Sequence, residues 1–413
     1  MDIVIVSQHF FPDTFRINDI AFTLRAEGHR VRVLTGLPDY DTGRLPAAYR
    51  LFRKRRETVE GVEILRVPTT RRRTGAAWRL INYVSFAAMG WLCASFLRKS
   101  ADIVLTYETS PVSQAIPAIR LARRSRCPHI LYCLDLWPEV VQVWNVREES
   151  TLYRWIRRIS GAIYRAADWV PVCSQPFADY MAGIHHVAPE RIRYLPQHCE
   201  AMFEEVAGQY EDNGVTDFLF AGNIGAAQDI PCLVAAVARL REMPEGAAPF
   251  HVHIVGDGTA LADARAQCEA LGLGTLITFY GRKPLAEMPA FYRKADAFLL
   301  LLTGEGFVSQ TLPGKLQGYL SAGKPIVAAI DGAGAQVLRE ADCGPCAPAS
   351  DAEALARCMA QVVAEPSAFR VHGERAQQYY RQHFRKDVFM ENLHALMQEA
   401  LDARGTSRGM EKT

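Results

Sequence analysis

The sequence predicts an α/β chain made of two Rossmann-like domains that follow one another and face a cleft. Three observations predict it. The chain opens as strand, loop, helix and strand, and a second alternating series of strands and helices starts after a polar stretch at 204–214. That second series culminates in residues 304–329, GEGFVSQTLPGKLQGYLSAGKPIVAA, which reads as loop, tight turn, helix and buried strand in one run. Strands alternating with helices bury a parallel sheet between two helical layers.

Asp2–Val6 is the first buried strand, Ile17–Glu27 carries helical periodicity up to Gly28, and Val31–Thr35 is the second strand. Further strands are read at Val62–Val67, Ile103–Tyr107, His129–Leu134 and Trp169–Cys173, with helices near 113–124, 150–166 and 176–184. The domain boundary is placed in the polar, glycine-containing texture after residue 203. The second domain, 215–384, runs through strands Phe218–Ala221, His251–Val255, Ile277–Tyr280 and Ala297–Leu302, with helices between them. In 304–329, Pro313 and Gly314 precede the apolar period Leu316, Tyr319, Leu320, so Lys315 falls in the first helical turn. Gly323 and Pro325 end that helix before the strand Ile326–Ala329. The segment 385–413 is read as a helix and tail returning to the first domain, which spans 1–203.

At 49% hydrophobic and 22% charged residues the composition is that of an ordinary globular protein. Charge is unevenly placed: residues 1–200 carry 28 Lys and Arg against 19 Asp and Glu, the remainder 19 against 26. A basic first half calls for an anionic partner, such as a membrane surface or phosphate groups. Nucleic acid is not expected, because no recognition motif or repeated aromatic accompanies the charge. The ten cysteines sit mostly among apolar residues, as core thiols of a reduced compartment do. Cys343-Gly344-Pro345-Cys346 has redox spacing, but loop rather than helix follows it. The start MDIVIVSQHFF has no basic leader, which points to a cytoplasmic chain without a signal peptide. No G-x-G-x-x-G follows the first strand, against a dinucleotide-dependent oxidoreductase.

Residues 80–97, LINYVSFAAMGWLCASFL, contain no charge and are flanked by Arg71-Arg72-Arg73, Arg79 and Arg98-Lys99. Two readings stand: a buried core helix, or an interfacial helix that sinks Phe86 and Trp91 into lipid while the arginines meet phosphates. The run is at the lower limit for a span, and a true span would split the domain.

Ligands of open α/β sheets bind at the carboxyl ends of the strands. In the first domain that edge carries the loop His9–Asp19, where Arg16 can reach a phosphate or acceptor and Asn18 either contacts ligand or serves the helix start. It also carries Thr109 and Ser110, and the run Asp135-Leu136-Trp137-Pro138-Glu139. Asp135 and Glu139 are candidate base or hydroxyl-binding carboxylates, and Trp137 either stacks on a sugar or packs in the core. In the second domain four loops converge: Gly222-Asn223-Ile224-Gly225 with Gln228, the loop of Asp257, Arg282, and the turn of Gly314 and Lys315. Small residues there allow close approach, and a lysine beside free N–H groups suits a diphosphate.

These residues resemble those of the retaining, nucleotide-sugar-dependent glycosyltransferases of family 4, in the bacterial O-antigen and capsule branch that includes N-acetyl-fucosamine transferases. The likeness is carried by FRINDI (Phe15–Ile20), LPDYDTG (Leu37–Gly43), TSPVSQAIPA (Thr109–Ala118), DLWPE (Asp135–Glu139), AGNIGAAQ (Ala221–Gln228), VGDG (Val255–Gly258), FYGR (Phe279–Arg282) and LPGKLQGYLSAGKPIV (Leu312–Val327). It implies the two-domain GT-B fold, with donor bound by the second domain and acceptor by the first. The family's paired glutamates would fall on Gln310 and Gly318, its diphosphate-gripping Arg and Lys on Asn223 and Gln228, and its first-domain histidine on Leu134. The glycine pair usual in the first loop is missing from Pro12–Arg16. Lys315, Arg282 and Arg16 are then the remaining cations for the diphosphate. A front-face retaining reaction asks little of a protein base, since the leaving diphosphate can take the acceptor proton, and the protein's task is to stabilise the charge that develops on it.

The implied activity is transfer of a sugar, of N-acetylated or 6-deoxy amino type, from a nucleoside diphosphate (UDP) to a lipid-linked saccharide at the inner face of the cytoplasmic membrane. Neither cofactor nor metal is expected. A nucleotide-sugar epimerase on the same plan, or a catalytically silent partner of a glycan assembly complex, are the competing readings.

Overall fold

The computed structural model of the chain describes residues 1–40, 43–72, 75–95, 101–144, 146–304 and 306–410. Asp41 and Thr42 of the Leu37–Gly43 motif, Arg73, residues 96–99 and Glu305 lie outside the described residues. The chain divides into two compact units. One comprises Met1–Leu195 with Met390–Thr413, the other Pro196–Phe389.

The first unit is built on β1 (Asp2–Val6), β2 (Arg30–Thr35), β3 (Arg56–Val59), β4 (Val62–Arg66), β5 (Ile103–Glu108), β6 (His129–Cys133), β7 (Val170–Val172) and β8 (Ile192–Tyr194). Among the described residues these form one sheet in the order β3-β4-β2-β1-β5-β6-β7-β8. Every pairing is parallel except β3 with β4. The central strand β1 registers Ile3 against Val31 on one side and Ile103 on the other. Ile3, Ile5 and Val6 are fully buried, as strands covered on both faces require.

The second unit carries β9 (Thr216–Ala221), β10 (Phe250–Val255), β11 (Ile277–Gly281), β12 (Ala297–Leu301), β13 (Ile326–Ala329) and β14 (Cys346–Ala347). Its sheet is all parallel, in the order β11-β10-β9-β12-β13-β14. The strand order reverses beside β9, so loops after β9 and β12 leave the sheet at its switch point, where ligands of such sheets bind. The polar stretch 204–214 lies inside this unit, because Phe203 and Val206 just before and within it bury in the unit's core.

The terminal helix Lys386–Met410 belongs with the first unit from Met390 onward. Leu393, Met397 and Ala400 are buried. Polar clasps hold the helix: His394 Nε2 lies 2.8 Å from the Glu27 carboxylate, and Arg404 donates to Asp168 at 3.0 Å. Glu27, His29 and His394 bring three possible metal-ligating atoms within 4.8 Å of one another on this seam.

Four elements differ from the sequence reading. β3 is a partly exposed edge strand, β8 and β14 are three and two residues long, and the helix Gly332–Ala341 starts on a glycine with φ +64°. The three strands lack a buried run by which a strand is read, whereas the helix does bury Ala333, Val337, Leu338 and Ala341 but is short and opens on glycines. The helix after Lys315 is only Leu316–Ser321, six residues, and Lys315 is its N-cap rather than part of its first turn.

The apolar run forms the helix Ala76–Ala94. Tyr83, Phe86, Ala87 and Ala94 pack inward, while Trp78, Ile81, Val84, Trp91 and Leu92 are each more than two-fifths exposed. One face is core and the other is an apolar surface, so each of the two sequence readings describes half of it. Among the described residues no helix is long and apolar enough to cross a membrane. Cys343 and Cys346 are free thiols on either side of the entry to β14, and burial raises the pKa of both, Cys343 to about 12. Neither opens a helix, so the thiolate that redox chemistry needs is disfavoured.

Candidate functional site

In the second unit the candidate site is organised by Lys315. Its Nζ is buried and, among the described residues, has no hydrogen-bond partner. It sits 3.7 Å from the centroid of the Phe220 ring. Burial lowers its pKa from 10.5 to about 7. An ammonium held against an aromatic face, with every donor unused, is costly unless an anion completes it.

Sequence and packing fix this placement. Tyr319 is one helical turn beyond Lys315, and its ring stacks on Phe298 of β12 at 4.4 Å with planes 4° apart. Its hydroxyl accepts from Ala221 N–H at 2.8 Å and lies 3.2 Å from Ala221 O. The short helix is thereby pinned to the end of β9, and Lys315 is delivered to the first residue after that strand. That residue is Gly222, at φ +142°, where a Cβ would lie 3.1 Å from both Lys315 Cε and Nζ. Gly256 follows β10 at φ +153°, and a Cβ there would come within 1.8 Å of Gly222 O. The Gly256 loop can approach the Gly222 backbone so closely only because Gly256 lacks a side chain.

The structure brings some sequence candidates together and disposes of others. Asn223 donates to Gln228 Oε1 at 3.2 Å, and Gly225 N–H donates to the same oxygen at 3.1 Å. These two side chains, at the positions of the family's Arg and Lys, brace their own loop. Asp257 is exposed and accepts from Gly258 N–H at 2.8 Å, while its carbonyl accepts from Ile224 N–H at 2.9 Å. Arg282 is exposed just after β11. Gln310 ends the turn Gly306–Gln310 and is half-buried. A Cβ at Gly314 would meet nothing within 4 Å. Gly318 is different: it is buried, and a Cβ there would lie 3.3 Å from Tyr292 Oη and 3.5 Å from the Phe203 ring. Phe203 and Tyr292 stack on one another at 4.4 Å beside this position.

In the first unit several candidates turn inward. Glu139 is 8% exposed and accepts from Tyr153, Tyr180 and Gln142, so its carboxylate is committed to holding helices together and not available as a base. Trp137 is 6% exposed, with Nε1 donating to Ser110 Oγ at 3.3 Å and its ring edge-on to Tyr83. It is a core residue, not a sugar platform. Asp135 accepts from both N–H and Oγ of Ser110 at 2.7 Å, and burial raises its pKa against those two bonds. Asn18 neither caps its helix nor faces outward: it accepts from Phe11 N–H at 3.1 Å and donates to Asp13 O at 2.8 Å, tying the loop to itself. Arg16 is the first residue of that helix, and its charge reaches Tyr132 and Cys173 at the ends of β6 and β7.

Several buried atoms at this edge are unmatched among the described residues, Gln8 Oε1 and Glu108 Oε1 among them. Thr109 Oγ1 has no partner, and neither ring nitrogen of His9 has one. His9 stands three residues beyond β1, stacked on Phe15 at 5.5 Å and tilted against Tyr40 at 4.7 Å. Burial, aided by the charge of Arg72, pushes its pKa down to about 3, so it is neutral at physiological pH. Sequence reasoning missed His9 as a site residue, and the signal was available in a histidine directly beyond a buried first strand.

Two parallel α/β units, each gathering its polar groups at the carboxyl ends of its strands, define the GT-B class of fold. The structure of Anabaena Alr3699/HepE in complex with UDP has it too, with a TM-score of 0.70 at 13% identity over 97% of this chain and 100% of that one. Residues 14–198 match the model of the glycosyl transferase 4-like domain, and residues 216–365 match that of glycosyl transferases group 1. The chain belongs to the group 1 (family 4) glycosyltransferases. Among curated relatives, the lipopolysaccharide core biosynthesis mannosyltransferase LpcC of Rhizobium leguminosarum bv. viciae is 28% identical over 151 residues, which is 36% of this chain and only 41% of that protein. The putative colanic acid biosynthesis glycosyl transferase WcaI of Escherichia coli K12 is 25% identical over 318 residues, 73% of this chain and 75% of that one.

Proposed function

We propose that this enzyme transfers a sugar, with retention, from a nucleoside diphosphate to a lipid-linked saccharide in the synthesis of a surface polysaccharide. The donor is taken as a UDP-sugar of N-acetylated or 6-deoxy amino type. The observation that carries this is the buried ammonium of Lys315, unpartnered beside Gly222. A diphosphate seated over Gly222 supplies the anion that Lys315 lacks. As the sugar–phosphate bond breaks, negative charge accumulates on the leaving oxygen, and a pre-positioned cation lowers the barrier. UDP in the HepE structure and the lipopolysaccharide and colanic acid roles named for the curated relatives support the donor class and the pathway.

The first unit is assigned the acceptor. Neutral His9 can accept a hydrogen bond from the acceptor hydroxyl and so orient it, with Thr109 Oγ1 as a second contact. The exposed apolar face of the Ala76–Ala94 helix, close to Arg71, Arg72 and Arg79, is assigned to the membrane surface where such an acceptor resides. Calorimetry with UDP and GDP, followed by a panel of labelled nucleotide sugars incubated with membrane lipid extract, tests the proposal. Binding of one nucleotide and label transfer to lipid are expected. A folded protein that binds neither nucleotide would overturn it.

A further inference from the structure

We infer that an open cavity of about 680 Å³ in the first unit, between the helix Thr151–Arg165 and the segment Gly183–His186, holds the phosphate headgroup of an anionic membrane phospholipid. The inference extends the membrane assignment above to a second, separate surface.

The cavity is lined by Arg154, Arg157, Arg158, Arg165, His185 and His186, with no carboxylate among the lining residues. Arg154, Arg157 and Arg158 lie at helical spacing on one face, so their charges repel one another. Among the described residues none of the three has an ion-pair partner. Arg165 is held across the floor by donating to His185 O at 2.6 Å. Gly161 makes room for it, since a Cβ there would lie 2.9 Å from Arg165 Nη1 and 3.1 Å from His185 Nδ1. His185 is buried and fixed through Nε2 to Trp137 O at 2.7 Å, which anchors the floor of the cavity. Guanidinium groups gathered without a counter-charge match phosphate oxygens, to which they bond bidentately.

The rim says what the phosphate is attached to. Trp155 is 61% exposed and Ile184 43%, and both line the cavity, while Leu152 is 51% exposed one helical turn before Trp155 on the same helix. A free phosphate leaves these side chains in water. A headgroup at a bilayer surface places arginines at the phosphates and tryptophan at the boundary with the chains. The neighbouring elements agree. The Ala76–Ala94 helix and the Thr151–Arg165 helix both pack on the Val112–Gln114 turn, and Tyr83 of one and Tyr153 of the other share a core cluster. Two apolar surfaces with adjacent arginines thus belong to adjoining helices of one unit.

The test uses the full chain and flotation on vesicles of phosphatidylcholine with or without phosphatidylglycerol. The variant Arg154→Glu/Arg157→Glu/Arg158→Glu is expected to lose about tenfold or more of the affinity for phosphatidylglycerol vesicles, while UDP binding and melting temperature hold. Trp155→Ser, a single exposed change, is expected to weaken vesicle binding while leaving its salt dependence intact. Wild-type-like vesicle binding by both variants, with loss confined to an Ile81→Glu/Val84→Glu variant, would overturn the inference and leave the membrane assignment standing. No vesicle binding by the wild type would overturn both. A rise in melting temperature with inorganic phosphate equal to that with phosphatidylglycerol vesicles, with Trp155→Ser silent in flotation, would make this a free-anion site and overturn the lipid assignment.

Discussion

Lys315 holds its ammonium 3.7 Å from the Phe220 ring centre, and that ring belongs to the strand whose next residues lead into the Gly222 loop. Cation–π attraction orients the side chain but leaves its three N–H donors unused. The expected consequence is that Lys315→Ala lowers kcat about a hundredfold or more, about 2.7 kcal/mol or more of transition-state stabilisation, with a smaller change in donor affinity. Lys315→Arg is expected to restore activity only in part, because a guanidinium is broader than the space between Phe220 and Gly222. Steady-state kinetics on folded variants checks this. Near-normal turnover of Lys315→Ala would return the search to Arg282 and Arg16.

The same burial makes donor binding pH-dependent. In the free protein Lys315 has its pKa lowered to about 7, so above that pH it is largely neutral. A bound diphosphate favours the charged form and raises the pKa. Affinity for UDP is therefore greatest below pH 7 and falls as pH rises through the window between about 7 and the higher pKa of the complex. Binding in that window takes up a proton. Stability of the ligand-free protein moves the other way, rising with pH from about 7 toward 10.5, where only the unfolded chain holds the proton. Calorimetry at pH 8 in buffers of different ionisation enthalpy should show uptake approaching one proton, absent in Lys315→Ala.

His9 supplies a contrasting case. With its pKa near 3 it stays neutral in the folded protein across the working range and contributes no pH dependence to acceptor binding or turnover above pH 5. Its two unpartnered ring nitrogens predict that His9→Phe, which keeps the stacking on Phe15, lowers kcat/KM for the acceptor about tenfold to a hundredfold, with UDP affinity unchanged. A variant that loses UDP binding instead would move His9 out of the acceptor site.

How much of this the sequence showed follows from how each residue does its work. The two sheets were legible because runs such as Ile3–Val6 and Phe298–Leu301 are apolar throughout, as doubly covered strands must be. Lys315 was legible from its place after Pro313-Gly314, although the helix is shorter than its apolar spacing suggests. What local pattern could not show was competition for the same atoms. Glu139 and Asp135 are in the right stretch, yet Tyr153, Tyr180 and Ser110, distant in sequence, claim their oxygens. Gly318 reads as a missing glutamate, whereas the structure shows Tyr292 and Phe203 filling that space. The amphipathy of Ala76–Ala94 was hidden because both of its faces are apolar.

That helix gives a prediction of its own. Ile81 and Val84 are 45% and 57% exposed on the outward side of the helix. Ile81→Glu/Val84→Glu is therefore expected to leave the melting temperature within a few degrees while reducing binding to anionic vesicles severalfold. Flotation at two salt concentrations checks it. Unchanged binding at both would show that the outward face of this helix does not meet lipid.

The glycines of the second unit separate close approach from mere flexibility. Gly222 has a φ of +142°, which L side chains rarely adopt, and its Cβ would press on the end of Lys315. A Cβ at Gly314, by contrast, would meet nothing within 4 Å. Gly222→Ala is expected to cost about 1–3 kcal/mol of stability through backbone strain, and to weaken UDP binding further by displacing the ammonium. Gly314→Ala is expected to change stability by no more than about 0.5 kcal/mol, so any loss of UDP affinity in that variant reports a phosphate lying against residue 314. Thermal melts and UDP titrations of the two variants, compared with Lys315→Ala, distinguish the cases. If Gly222→Ala and Lys315→Ala reduce UDP affinity and the double variant is no worse than either, the two residues act through one contact. Additive losses would mean that the glycine loop and the lysine hold different parts of the donor.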